Sequence, residues 1–128
     1  MAIRCLIVDD NPRFAQTARE VLQEDGIDVL ALAGGGEEAV RFARELRPDL
    51  ALVDIDLGRE SGLDVAFRLR AEDPEALVGA VILVSTHAEE EFAELIAASP
   101  AVGFLAKAEL SADAIETLLG RPAQGQAE

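Results

Sequence analysis

Asp9-Asp10, Asp54-Ile55-Asp56, Ser85-Thr86 and Lys107 lie far apart in the chain, yet each group closes a short apolar run. Four of the ten aspartates and the only lysine therefore fall where buried strands would end. Carboxylates gathered in one place repel one another unless a cation joins them. Two or three carboxylate oxygens with room for water suit Mg2+, which prefers an octahedral oxygen shell and keeps several waters. An ammonium and a serine hydroxyl beside them suit an oxyanion, a phosphoryl group above all. Phosphoryl transfer asks mainly for alignment and for neutralisation of charge on the equatorial oxygens. A carboxylate held among such groups can be the nucleophile.

Something must bring these groups together. Residues 3–8 form the first apolar run, and Asn11-Pro12 after it suits a helix start, with Asn as cap and Pro in the first turn. Phe14, Ala18, Val21 and Leu22 then recur at helical spacing. A second run covers 27–33, and after Gly34-Gly35-Gly36 a second helical stripe uses Ala39, Val40, Ala43 and Leu46. The third run, 50–55, leads through a loop with Gly58 and Gly62 into a helix expected from Leu63 to about Glu72. The fourth run is 80–84, with Phe92, Leu95 and Ile96 marking the next helix. The fifth is 102–106, after which Ser111 caps a helix carrying Ile115, Leu118 and Leu119. Strand and helix thus alternate five times. Continuous apolar strands are those of a parallel sheet covered on both faces, so a three-layer α/β sandwich is expected. Ligands of such sheets bind beyond the carboxyl ends of the strands, where the acids and the lysine stand.

The 128 residues amount to one domain, half of them apolar and only 4% aromatic, so the core must be aliphatic. A formal charge of −14 argues against direct contact with nucleic acid, whose phosphates need Lys and Arg. The apolar runs are too short to span a bilayer, and the N-terminus does not read as a secretory signal. One cysteine, Cys5, inside an apolar strand reads as a packed core thiol in a reducing cytoplasm.

Asp9-Asp10, Asp54, Ser85 and Lys107, in that order after strands one, three, four and five, resemble the receiver domains of two-component response regulators. The segment 104–111, Phe104-Leu105-Ala106-Lys107-Ala108-Glu109-Leu110-Ser111, is similar to receivers of the NarL/FixJ type. The resemblance implies a flavodoxin-like sheet of order 2-1-3-4-5 with five helices, a receiver domain over 1–119 and a disordered tail or linker from 120 to 128. It implies Asp54 as phosphoacceptor from a histidine kinase, Lys107 as its cationic partner and Mg2+ as cofactor. The metal would be held by Asp10, Asp54 and the Asp56 carbonyl, with Asp9 acting through water. Ser85 and Phe104 would be the switch pair, moving a face formed by helix four, strand five and helix five that could also serve a homodimer. The sequence departs from the family at Ala108, where proline often follows the lysine, at Gly58, where proline is often seen, and at Thr86, usually a smaller residue.

Plainer readings stand beside these. An Asp pair after a strand is often a turn and cap, Ser85 could cap a helix, with Thr86 and Glu89 fitting a capping box, and Phe104 could be simple core. His87 reads as an exposed loop residue, and Glu89-Glu90-Glu91 as a solvated helix start. Gly34-Gly35-Gly36-Glu37-Glu38-Ala39 matches a dinucleotide fingerprint, but Glu37 and Glu38 would oppose an anion there, so it reads as a loop. Two other functions stay open: a receiver-like scaffold that is never phosphorylated, and a Mg2+-dependent phosphohydrolase using Asp54-Ile55-Asp56.

Overall fold

Five apolar segments pair through their backbones: β1 (Arg4–Val8), β2 (Asp28–Ala33), β3 (Leu50–Asp54), β4 (Ala80–Ser85) and β5 (Gly103–Ala106). All pairings are parallel and the order is β2-β1-β3-β4-β5, the flavodoxin-like arrangement expected. The computed structural model describes residues 2–70, 77–86 and 92–120. The helices are α1 (Pro12–Glu24), α2 (Gly36–Leu46), α3 (Gly62–Leu69), α4 (Ala93–Ala97) and α5 (Ala112–Leu118).

The period of two along each strand divides the interior into two cores. Leu6, Val8, Ala51, Val53, Val81 and Leu83 face one way and pack against Ala39 and Ala43 of α2, Val65 and Leu69 of α3, and Ile96 of α4. Cys5, Ile7, Leu50, Leu52, Ile82 and Val84 face the other way, against Ala15, Ala18 and Leu22 of α1 and Ile115 of α5. Every residue of β3 is buried, so the central strand carries no solvent face. Each fully buried Leu or Ile contributes about 1.5–3 kcal/mol relative to its exposed state. Small residues on α1 and α2 let those helices lie close to the sheet.

Local signals set the helix starts. The Asn11 side chain accepts hydrogen bonds from the N–H groups of Arg13 and Phe14, and Pro12 opens α1. Ser61 and Ser111 cap α3 and α5 in the same way. Two expected core positions lie outward instead. Val21 is 44% exposed because the buried stripe of α1 runs through Ala15, Ala18 and Leu22, and Val21 falls on its flank. Leu95 is 55% exposed for the same reason, with Ile96 being the residue of α4 that turns inward. Helix α3 stops at Leu69 with Arg70 as its C-cap, short of the expected end, while Glu72, His87 and Glu89-Glu90-Glu91 lie outside the described residues, as does 121–128. Among the described residues no helix is long and apolar enough to cross a membrane.

Candidate functional site

Sheet register brings the distant groups together. Val8 pairs with Val53 and Asp54 with Val84, so Asp9, Asp54 and Ser85 reach the same rim of the sheet. Ser85 pairs with Ala106, which puts Lys107 one step beyond it. Alternation then sorts them. Asp54 continues the set Leu50, Leu52, and Asp9 continues Cys5, Ile7, so both incline toward the α1 layer. Lys107 follows the side of Leu105, which packs in that same layer. Phe104 is half-buried against the opposite core with Leu83 and Val65, and by the same alternation Ser85 belongs with Val81 and Leu83.

Contacts agree with that sorting. The Lys107 ammonium lies 2.8 Å from Asp9 Oδ2 and 2.9 Å from Asp54 Oδ2. Asp9 Oδ1 accepts a hydrogen bond from the Asn11 N–H at 2.8 Å, and Asp54 Oδ1 accepts one from the Asp56 N–H at 2.9 Å. Asp9 and Asp54 are buried, Ser85 is buried at the end of β4, and Asp10 and Asp56 are exposed. Burial pushes the Asp54 carboxyl above the ordinary aspartate range, helped by the nearby Asp9 charge and opposed by Lys107 and the Asp56 amide. Burial alone would lower the Lys107 ammonium, but its bonds to Asp9 and Asp54 outweigh that and raise it. Cys5 sits fully buried, where loss of solvent pushes its thiol far above the ordinary range and leaves it in the protonated, unreactive form.

The loop after β3 is held by its own side chains. The Asp56 carboxylate accepts the Gly58 N–H at 3.1 Å, the Leu57 N–H donates to the Glu60 carbonyl, and the Gly62 N–H donates to the Ile55 carbonyl at 2.7 Å. Gly58 has φ +78°, which proline cannot adopt, and its N–H is in use, so the departure from proline follows from this turn. A Cβ at Gly62 would collide with the Asp54 carbonyl, so only glycine lets α3 start this close to β3. Lys107 to Glu109 forms one 3-10 turn, closed by the Leu110 N–H on the Lys107 carbonyl; this is the geometry taken by the segment in which Ala108 replaces proline.

Carboxylate oxygens of Asp9, Asp10 and Asp54 all lie within 4.8 Å of one another. Asp9 Oδ2 is buried, and among the described residues its close cationic partner is the Lys107 ammonium at 2.8 Å. A Cβ at Gly58 would stand only 3.0 Å from Asp10 Oδ2, so the glycine also leaves the mouth of the cluster open. Three carboxylates, one of them exposed, with a single lysine to balance them make an all-oxygen donor set that fits a hard divalent cation keeping part of its water shell.

Two residues near the site carry contacts that the apolar pattern does not announce. Phe14, expected as part of the α1 core stripe, sets its ring 4.3 Å from the Lys107 ammonium. Glu60 reaches from the β3–α3 loop to accept the Gly36 N–H at 2.8 Å, capping α2, while Glu38 accepts the Gly34 N–H at 2.8 Å. Carboxylates thus occupy the amides of the glycine run that a dinucleotide pyrophosphate would need. For Phe14 a signal was available: it sits one turn after Asp9-Asp10, on the helix that begins beside the site.

The model for the response regulator receiver domain family matches residues 5–119. The response regulator GacA of Pseudomonas viridiflava is 30% identical over 117 residues, which is 91% of this chain and 53% of that protein. The signal receiver domain of the response regulator NarL from Mycobacterium tuberculosis superposes with a TM-score of 0.78 at 26% identity, covering 94% of this chain and 98% of that one. A response regulator protein from Burkholderia pseudomallei, solved with a phosphorylated aspartic acid, calcium ion and citrate, gives 0.77 at 27% identity over 91% of this chain and 66% of that one. The chain spans about half the length, or less, of the curated relatives it matches. With five parallel strands in receiver order and an acidic cluster at their carboxyl ends, the chain belongs to the response regulator receiver domain family of two-component systems.

Proposed function

We propose that Asp54 takes a phosphoryl group from the phosphohistidine of a partner kinase, and that the domain catalyses only its own phosphorylation and dephosphorylation. The observation that carries this is the pairing of Asp54 Oδ2 with the Lys107 ammonium at 2.9 Å inside the Asp9, Asp10 and Asp54 cluster. In the step, an Asp54 oxygen forms the new P–O bond, the P–N bond to the imidazole breaks, and the imidazole leaves with the bonding pair and takes up a proton. The Asp56 N–H on Asp54 Oδ1 fixes the carboxylate so that Oδ2 is the oxygen left to react. Lys107, bonded to Oδ2 before the step, transfers its hydrogen bond to a phosphoryl oxygen as charge collects there. Asp10 and Asp54, with the Asp56 carbonyl and with Asp9 through water, would hold Mg2+, which supplies neutralising charge on the phosphoryl oxygens when bound.

Ser85, buried at the rim, and Phe104, in the other core, would carry the change to the face of α4, β5 and α5. Leu95 and Val102, each about half exposed there, give that face the apolar character that an effector or a second copy would cover. Residues 1–119 are proposed as the receiver and 120–128 as tail or linker. The domain would act in the cytoplasm, and any contact with nucleic acid would belong to another domain.

Incubation with acetyl phosphate and Mg2+ should add one phosphoryl group, read by intact mass, and Asp54→Asn should take none. An unmodified wild type that binds no Mg2+ at millimolar levels would instead favour the scaffold reading.

A further inference from the structure

Two carboxylates fix how far the Lys107 ammonium lies from the acceptor, but not the side from which it arrives. Lysine carries a flexible four-carbon stem and a strongly hydrated point charge, so orientation is the part that needs help. Phe14 meets the ammonium on its ring face, 4.3 Å from the centroid, while Asp9 and Asp54 hold it at 2.8 and 2.9 Å. An aromatic face attracts a cation without competing for it as a proton acceptor. The turn that carries the ring is well anchored. The Phe14 backbone N–H donates to the Asn11 cap, and Pro12 stiffens the first turn of α1. Phe14, Thr17, Val21 and Leu110 line the groove into which the lysine stem passes, and the Lys107 side chain is left only 11% exposed.

We propose that Phe14 is a positioning residue: its ring holds the Lys107 ammonium between Asp9 and Asp54, aimed at the oxygen where the phosphoryl charge gathers. The kinetic consequence rests on Asp54 being the phosphoacceptor; the contact itself does not.

The chain's single lysine makes the contact directly visible. Protein grown with lysine labelled at Cε gives one methylene signal from Lys107. In the unphosphorylated, metal-free wild type its protons should be shifted upfield by the ring current. Phe14→Leu, which keeps apolar bulk but removes the π face, should return the signal to the ordinary lysine region, and Phe14→Tyr should retain the shift. With acetyl phosphate and Mg2+, Phe14→Leu should be phosphorylated roughly three- to tenfold more slowly, and Phe14→Tyr within about twofold of wild type. An unshifted wild-type signal overturns the proposal. So does a Leu variant as fast as wild type, or Leu and Tyr variants slowed alike, which would mean that packing alone matters. A wild type that accepts no phosphoryl group defeats the acceptor reading, and the lysine signal still decides what Phe14 does.

Discussion

The surroundings of Asp54 work against its charged form. Burial and the neighbouring Asp9 both favour the protonated acid, and Lys107 with the Asp56 amide only partly offsets them. A carboxyl whose folded-state pKa is raised contributes stability that is complete below the unfolded value of roughly 3.9 and is lost as pH rises through the folded value. Ionisation of Asp54 therefore weakens the fold. Asp54→Asn should unfold at a higher temperature than wild type at pH 7 in EDTA, with the gap narrowing toward pH 4; equal midpoints at pH 7 in calorimetry would refute this. Lys107 works in the opposite sense. Lys107→Met leaves two buried carboxylates facing one another and should cost about 3 kcal/mol in urea unfolding at pH 7. Adding Asp54→Asn to that variant should recover part of the loss, because one of the two unpaired charges is gone.

Among the elements, the β3–α3 loop is held tightly by its own contacts. Gly62→Ala would drive a methyl into the Asp54 carbonyl and should lose about 3 kcal/mol or more, seen as a lower urea midpoint. Gly58→Ala meets no such wall but must hold φ near +78°, which costs about 1–2 kcal/mol; Gly58→Pro also removes the bond to Asp56 and should be worse than Ala. Strands and their order of appearance could be read from the sequence because both faces of this sheet are buried. Runs such as Leu50-Ala51-Leu52-Val53 then have no polar interruption, and the acids that end them stand out. Helix faces were less legible. Val21 and Leu95 lie at the edge of a 3.6-residue period, and whether an edge position is covered depends on what packs beside it. Phe14 on Lys107 and Glu60 on Gly36 join segments far apart in the chain, and no periodicity records such a contact. The gathering of Asp9, Asp10, Asp54 and Lys107 was legible because register in a parallel sheet turns strand ends into neighbours.

For the molecule as a whole, 25 acidic against 11 basic residues leave a formal charge of −14, and self-repulsion opposes compaction. Screening should relieve it: raising KCl to about 0.3 M should raise the thermal midpoint. MgCl2 at millimolar concentration should raise it further than KCl of matched ionic strength, and identical midpoints would argue that the ion acts on the general field alone and not at Asp9, Asp10 and Asp54. One contact also ties the start of a helix to a distant loop. Gly35, the N-cap of α2, has no side chain to cap that helix, and the group that finishes its first turn is Glu60, which accepts the Gly36 N–H from 24 positions further along the chain. The opening turn of α2 is therefore complete only when the loop beyond β3 has closed. Its Gly36 amide becomes a clock for that closure: its hydrogen exchange should slow in step with the docking of the loop, and in Glu60→Ala it should run fast even while the rest of α2 stays protected.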